Sequence, residues 1–372
     1  MTEPLEIFLA APPGLEPTLA AEAIAAGFAD ATPQPGGVAL SGDWATVRRA
    51  NLMLRGAGRV LVRIGGFRAF HLAQLDKRSR KFPWGDFLRP DVPVRVEATC
   101  KGSRIYHAKA AAQRVETALR ESLGVEIAAD APIRLMVRID DDFCGFSLDA
   151  SGEPLHKRGH KEAVGKAPMR ETLAALFLRA CGHDGTEPLL DPMCGSGTFP
   201  IEAAEMAAGL PPGRTRAFAF ELFAGHDSGA WAAEKAAALP ASAPASPPRF
   251  IGSDRDQGVI GMAKANAERA GVAASCLFIR RPISELVRPD GPPGLVIVNP
   301  PYGARIGEVA KLRPLYGTLG EALKAGFSGW RVGLITTETP LARATGLPFL
   351  PPGPPVAHGG LKVKLFRTEP LA

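Results

Sequence analysis

The sequence predicts two architectures in one chain, an α+β region followed by an α/β domain whose mostly parallel sheet ends in an antiparallel edge. Two observations indicate the α/β domain. Short apolar runs end in a polar residue at Asp191, Asp254 and Asn299, as buried parallel strands do at their carboxyl ends. Helix-forming segments follow the first two runs, and strands that alternate with helices are typical of parallel sheets. The 372 residues suit two domains or three small modules.

The amino-terminal region mixes strand and helix patterns and contains no internal repeat. We expect strands at 5–10, 38–40, 60–64, 92–99, 133–139 and 144–148, the last two forming a hairpin around Asp140–Asp142. We expect helices at 15–26, 44–54 and 106–123. We divide the chain into modules at 1–55, 56–155 and 165–372.

Positive charge is concentrated in the amino-terminal region. Residues 51–110 contain 13 Lys/Arg against 4 Asp/Glu, although the whole chain carries a net charge of only +6. Phe82, Trp84 and Phe87 follow a basic run, and cations beside aromatic rings suit phosphate contact and base stacking. The alternative is a solvated loop packed by a local aromatic cluster. The candidate RNA-contacting residues are Lys77, Arg78, Arg80, Lys81, Lys101, Arg104 and, in a charged linker, Lys157 and Arg158.

A small-residue loop follows Asp191 and leads into a helical segment at 199–208. Gly195 and Gly197 allow the backbone to approach a ligand closely. A dinucleotide fold would place its ribose-binding acid about 20 residues beyond this loop. Asp254 instead lies 57 positions after Gly197, across a Pro/Ala-rich insert. This spacing counts against a nicotinamide enzyme and favours a nucleoside ligand without a pyrophosphate.

The apolar run 295–298 is followed by Asn299, two prolines and Tyr302. Because proline cannot donate to a ladder, the chain leaves the sheet at this point and puts Asn299 at a ligand-binding strand end. The Asn299 amide oxygen and the Pro300 carbonyl can accept hydrogen bonds from an amino group. Tyr302 offers a flat face for a base, although a plain proline-rich turn would give the same pattern.

Further elements are expected around these motifs. We expect a loop at 303–307 that could close over a bound base, with Arg305 either near an RNA phosphate or simply exposed. We expect helices at 168–180, 255–270 and 313–325, and strands at 330–337 and 360–367.

The chain carries three motifs in a fixed order, Asp-Pro-Met-Cys-Gly-Ser-Gly-Thr at 191–198, Gly-Ser-Asp at 252–254 and Asn-Pro-Pro-Tyr-Gly at 299–303. Together they resemble the RNA guanine-N2 methyltransferases that use S-adenosylmethionine. Segments 149–160 and 167–175 are similar to the linker ahead of the catalytic domain in that family. The resemblance is strongest to the amino-terminal half of the bacterial large-subunit rRNA enzymes, and more distant relatives act on tRNA.

The resemblance implies a Rossmann-like class I methyltransferase domain at 165–372, preceded by a ferredoxin-like piece at 1–55 and a THUMP RNA-binding domain at 56–155. It also implies that Pro282 stands where relatives carry an acid for the adenine amino group, which leaves backbone groups or Ser284 for that contact. It implies that the methionine end of S-adenosyl-L-methionine is lined by Asp191, Met193, Gly195, Gly197 and Thr198. It implies that Asp254 binds the ribose of the cofactor. It further implies that the target base is held by Asn299, Pro300 and Tyr302.

Composition excludes several other classes. The five cysteines are scattered without Cys-x-x-Cys spacing, so we expect neither a zinc site nor a disulfide framework, and we expect a reducing cytoplasm. No apolar run reaches 18 residues and the first residues lack signal-peptide character, so we expect no membrane span. Enzymes of this family often carry a second methyltransferase half, and we expect none within these 372 residues.

The expected reaction is methyl transfer from S-adenosylmethionine to the exocyclic N2 amine of a guanine, with 23S rRNA as the expected substrate and tRNA as the alternative. The activated methyl group requires no metal and no enzyme nucleophile, so positioning and electrostatics carry the reaction. Two other classes stay open, a non-catalytic RNA-binding or ribosome-assembly factor and a DNA adenine methyltransferase.

Overall fold

The computed structural model describes residues 4–162, 169–240, 249–302 and 306–372. These residues form two seven-stranded sheets, one in each half of the chain. Both sheets carry helices, and the large buried apolar side chains lie between helices and sheets. The predicted combination of an α+β region with a mostly parallel α/β domain is confirmed.

The first sheet has the order β2-β3-β1-β4-β7-β6-β5 and is antiparallel except for the pair β5–β6. Its strands are β1 (Leu5–Ala10), β2 (Thr32–Gln34), β3 (Gly37–Gly42), β4 (Arg59–Arg68), β5 (Val94–Lys101), β6 (Ile133–Asp140) and β7 (Phe143–Asp149). Its helices are α1 (Glu16–Ala25), α2 (Trp44–Met53), α3 (Leu72–Ser79) and α4 (Ala108–Leu123).

Strand β4 joins the two amino-terminal modules in one sheet. It pairs with β1 on one side and with β7 on the other. The boundary that we placed at residue 55 is therefore not a break between sheets. The short strand β2 and helix α3 were not predicted, and α3 covers the start of the basic run, since Lys77 and Arg78 lie in its last turn.

The second sheet has the order β10-β9-β8-β11-β12-β14-β13, and its first five strands are parallel. Strand β14 is antiparallel to both of its neighbours, as expected for the edge. The strands are β8 (Leu189–Asp191), β9 (Phe250–Asp254), β10 (Cys276–Arg280), β11 (Leu295–Val298), β12 (Arg331–Thr336), β13 (Val356–His358) and β14 (Leu361–Arg367). The helices are α5 (Glu171–Ala180), α6 (Thr198–Ala207), α7 (Ser228–Ala237), α8 (Gln257–Ala270), α9 (Ile306–Gly326) and α10 (Thr339–Ala344).

The strand order reverses between β8 and β11, which are neighbours in the sheet although β9 and β10 lie between them in the chain. Such a reversal opens a crevice at the carboxyl ends of the strands, where open α/β sheets bind ligands. All four residues of β11 are buried, because a central parallel strand is covered on both faces. The polar residues at the ends of β8 and β11 therefore meet at the ligand-binding edge.

Two helix boundaries differ from the prediction. Helix α5 begins at Glu171, and Pro168 lies outside the described residues. Helix α9 begins at Ile306, so that Pro314 lies inside it and the expected loop at 303–307 is helical from Ile306. Residues 303–305, which include Arg305, are not among those described. We took Pro314 as part of the first helical turn, but Val309 and Leu312 before it pack against the buried apolar cluster and stabilise a longer helix.

A buried ionic cluster connects the two halves of the chain. Arg55 donates to Glu202 and Glu205 of α6 at 3.1 and 3.2 Å, and Arg158 donates to Glu202 at 3.1 Å. Arg158 also donates to the carbonyl oxygens of Leu155 and Arg55. The prediction that Arg158 contacts RNA is wrong in this structure, because its side chain is buried and all of its donor nitrogens are engaged.

Candidate active site

Three polar residues stand at the carboxyl ends of three adjacent strands. Leu190 of β8 lies level with Val296 of β11 and with Ile251 of β9. Continuing this register puts Asp254 and Asn299 two residues beyond the level of Asp191, one on each side of it. Because side chains on a strand alternate, residues two positions apart face the same way. The structure thus brings together the acids and the amide that the sequence singles out.

The loop after Asp191 needs glycine at two positions. Gly195 and Gly197 have φ values of +52° and +85°, which L side chains rarely adopt. A Cβ at Gly197 would also lie 3.0 Å from Ala263 and from the ring of Phe278, whereas a Cβ at Gly195 would meet nothing within 4 Å. Gly197 is therefore fixed by packing, and Gly195 leaves open space in front of the backbone. Helix α6 starts immediately afterwards, at Thr198.

Asp254 ties the loop to the neighbouring strand. Its carboxylate accepts hydrogen bonds from the Gly195 amide at 3.2 Å and from the Asp256 amide at 3.0 Å. The Cys194 amide donates to the Ser253 carbonyl at 2.9 Å. A carboxylate offers about four lone-pair positions, so Asp254 keeps accepting capacity for a ligand hydroxyl.

Asp191 is a buried acid without a cationic partner among the described residues. The Met193 amide donates to its Oδ1 at 3.1 Å. Burial, opposed by the Met193 amide and assisted by the nearby charge of Asp254, raises the pKa of Asp191 to about 8. The pocket around Asp191 therefore lacks a positive charge, which a cationic ligand would supply.

Asn299 carries an unused acceptor. Its Oδ1 is buried and has no hydrogen-bond partner among the described residues. Leaving a buried polar atom unsatisfied costs about 1–3 kcal/mol, so this oxygen is available to accept a hydrogen bond from a ligand. Pro300 is buried, and Tyr302 is half-buried, which raises the pKa of its phenol.

Helix α9 and strand β12 hold the turn that follows Asn299. The buried Tyr316 hydroxyl donates to the Pro301 carbonyl at 3.2 Å and lies 3.3 Å from the Thr336 hydroxyl. Neither Tyr316 nor Thr336 belongs to a sequence motif, so the sequence alone did not identify them as site residues. Their position next to the turn is visible only in the fold.

Lys161 and Asn266 support the glycine loop from behind and were missed as site residues. Lys161 donates to the Thr198 hydroxyl and to the Met169 carbonyl, both at 2.8 Å, and lies 3.2 Å from the Glu171 carboxylate. The Asn266 amide donates to the Ser196 carbonyl at 3.0 Å. Although both residues lie in the charged linker, Lys161 is mostly covered and His160 is buried.

The predicted RNA-contacting cations fall into three groups. Lys77, Arg78, Lys81, Lys101 and Arg104 are exposed, and Lys157 is exposed but paired with Glu153. Arg80 is half-buried and forms ion pairs with Asp76 and Glu121. Arg158 is removed from the set by its burial.

The aromatic residues after the basic run are packed rather than available to bases. Trp84 is 2% exposed, and Phe82 lies 4.4 Å from it and 5.0 Å from Phe146, measured between ring centroids. The alternative interpretation, a local packing cluster, is correct for Phe82, Trp84 and Phe87.

Three other aromatic rings are exposed close to basic residues. Phe70, Tyr106 and Phe143 are 38%, 83% and 40% exposed. The Arg104 guanidinium lies 4.9 Å from the centroid of the Phe70 ring. Asp142 holds the loops together, since its carboxylate accepts from the Arg104 amide and its carbonyl from the Ala69 amide. We call this set the aromatic–basic patch: Arg68, Phe70, Lys101, Arg104, Tyr106 and Phe143.

The described part of the chain offers neither a metal cluster nor a membrane-spanning helix. Within the described ranges, no group of three or more His, Cys, Asp or Glu side chains is arranged to hold a metal ion. Among the helices of the same ranges, none is long and apolar enough to cross a membrane.

Two protein-family models match the chain. The model described as "RMKL-like, methyltransferase domain" matches residues 158–347, which contain β8, β9, β11 and the site between them. The model described as "RlmL ferredoxin-like domain" matches residues 6–61, which contain the first half of the first sheet.

Curated relatives cover nearly the whole chain. "Ribosomal RNA large subunit methyltransferase K/L" of Syntrophotalea carbinolica is 37% identical over 364 residues, which are 93% of this chain and 51% of the relative. The chain thus spans about half the length of these relatives. The Synechocystis protein "Putative RNA methyltransferase slr0064" is 31% identical over 96% of this chain and 94% of its own length.

Solved structures share the complete fold. A Listeria monocytogenes protein titled "predicted N6-adenine-specific DNA methylase" has a TM-score of 0.87 and 28% identity, with 98% of this chain and 96% of that chain covered. A "possible methylase" of Clostridium difficile has a TM-score of 0.83 and 27% identity, with 100% and 99% covered. The site between β8, β9 and β11 thus lies within the segment that matches the methyltransferase model. The chain belongs to the family of the RMKL-like methyltransferase domain, with an RlmL-type ferredoxin-like segment ahead of it.

Proposed function

We propose that the chain transfers a methyl group from S-adenosylmethionine to the exocyclic N2 amine of a guanine in RNA, with large-subunit rRNA as the substrate. The observation that carries this proposal is the unpartnered, buried Oδ1 of Asn299, placed at a strand end beside the glycine loop and two acids. A family of methyltransferases and relatives named for large-subunit rRNA support it.

The residues present fit S-adenosylmethionine, which supplies, when bound, a methyl group on a positively charged sulfur. Asp191 would accept the cationic methionine end, because its pocket lacks a positive charge. The open backbone at Gly195 and the start of α6 at Thr198 would lie along that end. Asp254 would bind the ribose hydroxyls with the lone pairs that the loop amides leave free.

The adenine end of the cofactor would be held mainly by backbone groups. Pro282 lies just after β10 and offers no side-chain acceptor, and its carbonyl accepts from the Glu285 amide. Ser284 is exposed. Apolar side chains such as Phe278 and Ile283 remain to contact the ring.

Asn299 and Pro300 would orient the acceptor amine. Two oxygens that accept from the amine hydrogens favour a pyramidal nitrogen and point its lone pair at the methyl carbon. The proton can leave after transfer, so no strong base is required. Extruding a paired base costs a few kcal/mol, and stacking on Tyr302 would return about 1–3 kcal/mol.

The amino-terminal half would supply the rest of the RNA affinity. We propose that residues 56–155 act as a THUMP-type RNA-binding domain and that the aromatic–basic patch is its contact surface. Exposed rings stack on bases, and the neighbouring cations contact phosphates. Lys77, Arg78 and Lys81 would extend this surface electrostatically.

Two oxygen acceptors can bind the exocyclic amine of either guanine or adenine. We therefore assign guanine as the target base because of the resemblance of the three motifs. The experiment is nucleoside mass spectrometry after incubation of the purified protein with unmodified large-subunit rRNA, tRNA and DNA. We expect N2-methylguanosine in the rRNA. N6-methyladenosine alone, or methylation of DNA alone, would overturn the base or polymer assignment, and no product would favour a non-catalytic RNA-binding factor.

Asn299→Ala tests the central residue of the proposal. We expect cofactor affinity within about threefold of the wild type and a loss of turnover of at least about 100-fold, the range for removing one preorganised polar group. Calorimetric titration with S-adenosylmethionine and single-turnover methyl transfer provide the two readouts. Retained turnover would remove Asn299 from the mechanism.

A further inference from the structure

A cavity of about 770 Å³ lies between the charged linker and the second half of the chain. Its walls come from the linker residues 153–161, the start of α5, the segment 216–217 and the turn after β13. Lys161, which supports the glycine loop, belongs to its wall, whereas Asp191, Asp254 and Asn299 do not. A volume of this size is in the range of sites that enclose whole small molecules.

The cavity has more positive charge than its carboxylates neutralise. Three of its cations have acidic partners: Lys157 with Glu153 at 2.7 Å, Arg158 with Glu202 at 3.1 Å and Lys161 with Glu171 at 3.2 Å. The other two cations lack one. Among the residues that the structure describes, Arg216 donates only to backbone carbonyls, including those of Pro154 and Glu153, which carry no net charge. Arg170 is exposed and forms no ion pair within the described residues.

Two histidines complete the wall and are neutral. His358 is 8% exposed, and its Nδ1 is buried without a hydrogen-bond partner among the described residues. Burial and then the charges of Arg170 and Lys161 lower the pKa of His358. Burial and the same Arg170 lower the pKa of His156 to about 4.

The pKa of the Arg216 guanidinium is lowered as well, by burial and by a neighbouring positive charge. Burial first and then Arg158 lower the pKa of Arg216 to about 10. Together with the histidines, this shift indicates a site that resists further positive charge and would be stabilised by an anion. A neutral imidazole can still donate one N–H to an anionic oxygen.

Topology puts the cavity at the catalytic edge of the second sheet. Strand β14 is antiparallel to β12, and Lys364 near its start pairs with Thr336 at the end of β12. His358 ends β13 and pairs with Leu361 at the start of β14, so His358 and the turn after it lie at the carboxyl edge of the parallel strands, where Asn299 also lies. Lys161 spans the short distance from the cavity wall to the Thr198 hydroxyl.

We propose that this cavity holds a backbone phosphate of the substrate RNA, next to the extruded nucleotide. The proposal rests on the volume of the cavity, its uncompensated cations and its place at the catalytic edge. This inference rests on the proposed function, because it takes RNA as the substrate. Free phosphate shares the chemistry, and the experiment separates the two sources.

The experiment measures the affinity of the full chain for a large-subunit rRNA transcript, without cofactor, over a range of salt concentrations. The slope of log K against log[salt] reports the number of phosphates contacted, and one lost contact reduces it by about 1. We compare Arg170→Gln, Arg170→Lys and Lys324→Gln. Arg170 makes no side-chain capping bond to α5, so these changes should leave the fold intact. Lys324 is the matched control, an exposed cation in the last turn of α9, at the opposite edge of the sheet.

We expect Arg170→Gln to reduce the slope by about 1 and to weaken binding, and both Arg170→Lys and Lys324→Gln to behave as the wild type. An unchanged slope in Arg170→Gln would overturn the proposal. A second arm compares melting temperatures in inorganic phosphate and in chloride at equal ionic strength. Stabilisation by phosphate that Arg170→Gln abolishes, together with an unchanged RNA slope, would reassign the cavity to a free anion. A wild-type protein that shows the expected slopes but transfers no methyl group would support the cavity and refute the proposed reaction.

Discussion

The titration of Asp191 should control how tightly the chain binds S-adenosylmethionine. With a pKa of about 8, Asp191 is mostly protonated at neutral pH in the free protein. If the cationic end of the cofactor needs the ionised acid, the apparent affinity scales with the ionised fraction. That fraction is about one tenth at pH 7 and about one hundredth at pH 6. Titration of Asp191 should therefore raise the dissociation constant about tenfold per unit below pH 8 and contribute no further change above it.

The assay is calorimetric titration with S-adenosylmethionine between pH 6 and pH 9, in buffers of different ionisation enthalpy. The cofactor's own amino group titrates near pH 8, so Asp191→Asn serves as the matched control. The variant should bind more weakly at pH 8, and the ratio of its dissociation constant to that of the wild type should shrink as the pH falls. A ratio that stays constant over this range would refute the role of Asp191.

The same pKa has a consequence for stability that needs no ligand. The folded pKa of about 8 lies above the ordinary value of 3.8, so the folded state holds a proton that the unfolded chain releases between these values. The free energy of unfolding should therefore fall as the pH rises from about 4 to about 8, by up to about 1.4 kcal/mol per unit, and then level off. Asp191→Asn should remove this contribution, so the variant should melt above the wild type at pH 8. Equal melting temperatures at pH 8 would show that burial of Asp191 is not costly.

Three further predictions concern the loop, the domain contact and the RNA surface. Gly197→Ala should lower stability and cofactor affinity, whereas Gly271→Ala, with φ of +75° but open space, should lose only about 1–2 kcal/mol, as urea unfolding and cofactor titration would reveal. Glu202→Gln should cost about 3–5 kcal/mol in urea unfolding, because Arg158 loses its only acidic partner within the described chain. Tyr106→Ala should weaken rRNA binding by about 1–3 kcal/mol in a fluorescence titration, and Tyr106→Phe should not, if the ring stacks on a base.

The catalytic half could be predicted well because its signals are local. An apolar run that ends in Asp191 or Asn299 already specifies a buried strand and the edge at which it stops. Gly195 and Gly197 indicate where the backbone turns. What the sequence could not show is which residues support these motifs across the fold. Tyr316 donates to the Pro301 carbonyl, and Lys161 donates to the Thr198 hydroxyl. In both pairs the donor lies in another element of the fold, and no sequence spacing connects it to its partner.

The amino-terminal half was harder to predict because charge and exposure are separate properties. Arg158 and Trp84 looked like surface residues from their neighbours in the sequence. Long-range partners decided otherwise, since Glu202 lies 44 positions after Arg158 and Phe146 lies beyond three intervening elements from Trp84. Conversely, Tyr106 stood outside any basic run and is the most exposed aromatic residue of the patch.

The buried ionic cluster determines what happens when the two halves of the chain are separated. It consists of Arg55, Arg158, Glu202 and Glu205. Helix α6 carries both carboxylates and begins at the glycine loop, yet Arg55 reaches it from the opposite half of the molecule. A fragment that starts after the linker would keep these two acids in its interior while losing most of their counter-charge. We therefore expect the two halves to unfold in a single transition, and the reaction centre to depend on an intact amino-terminal half even for a free nucleoside as acceptor.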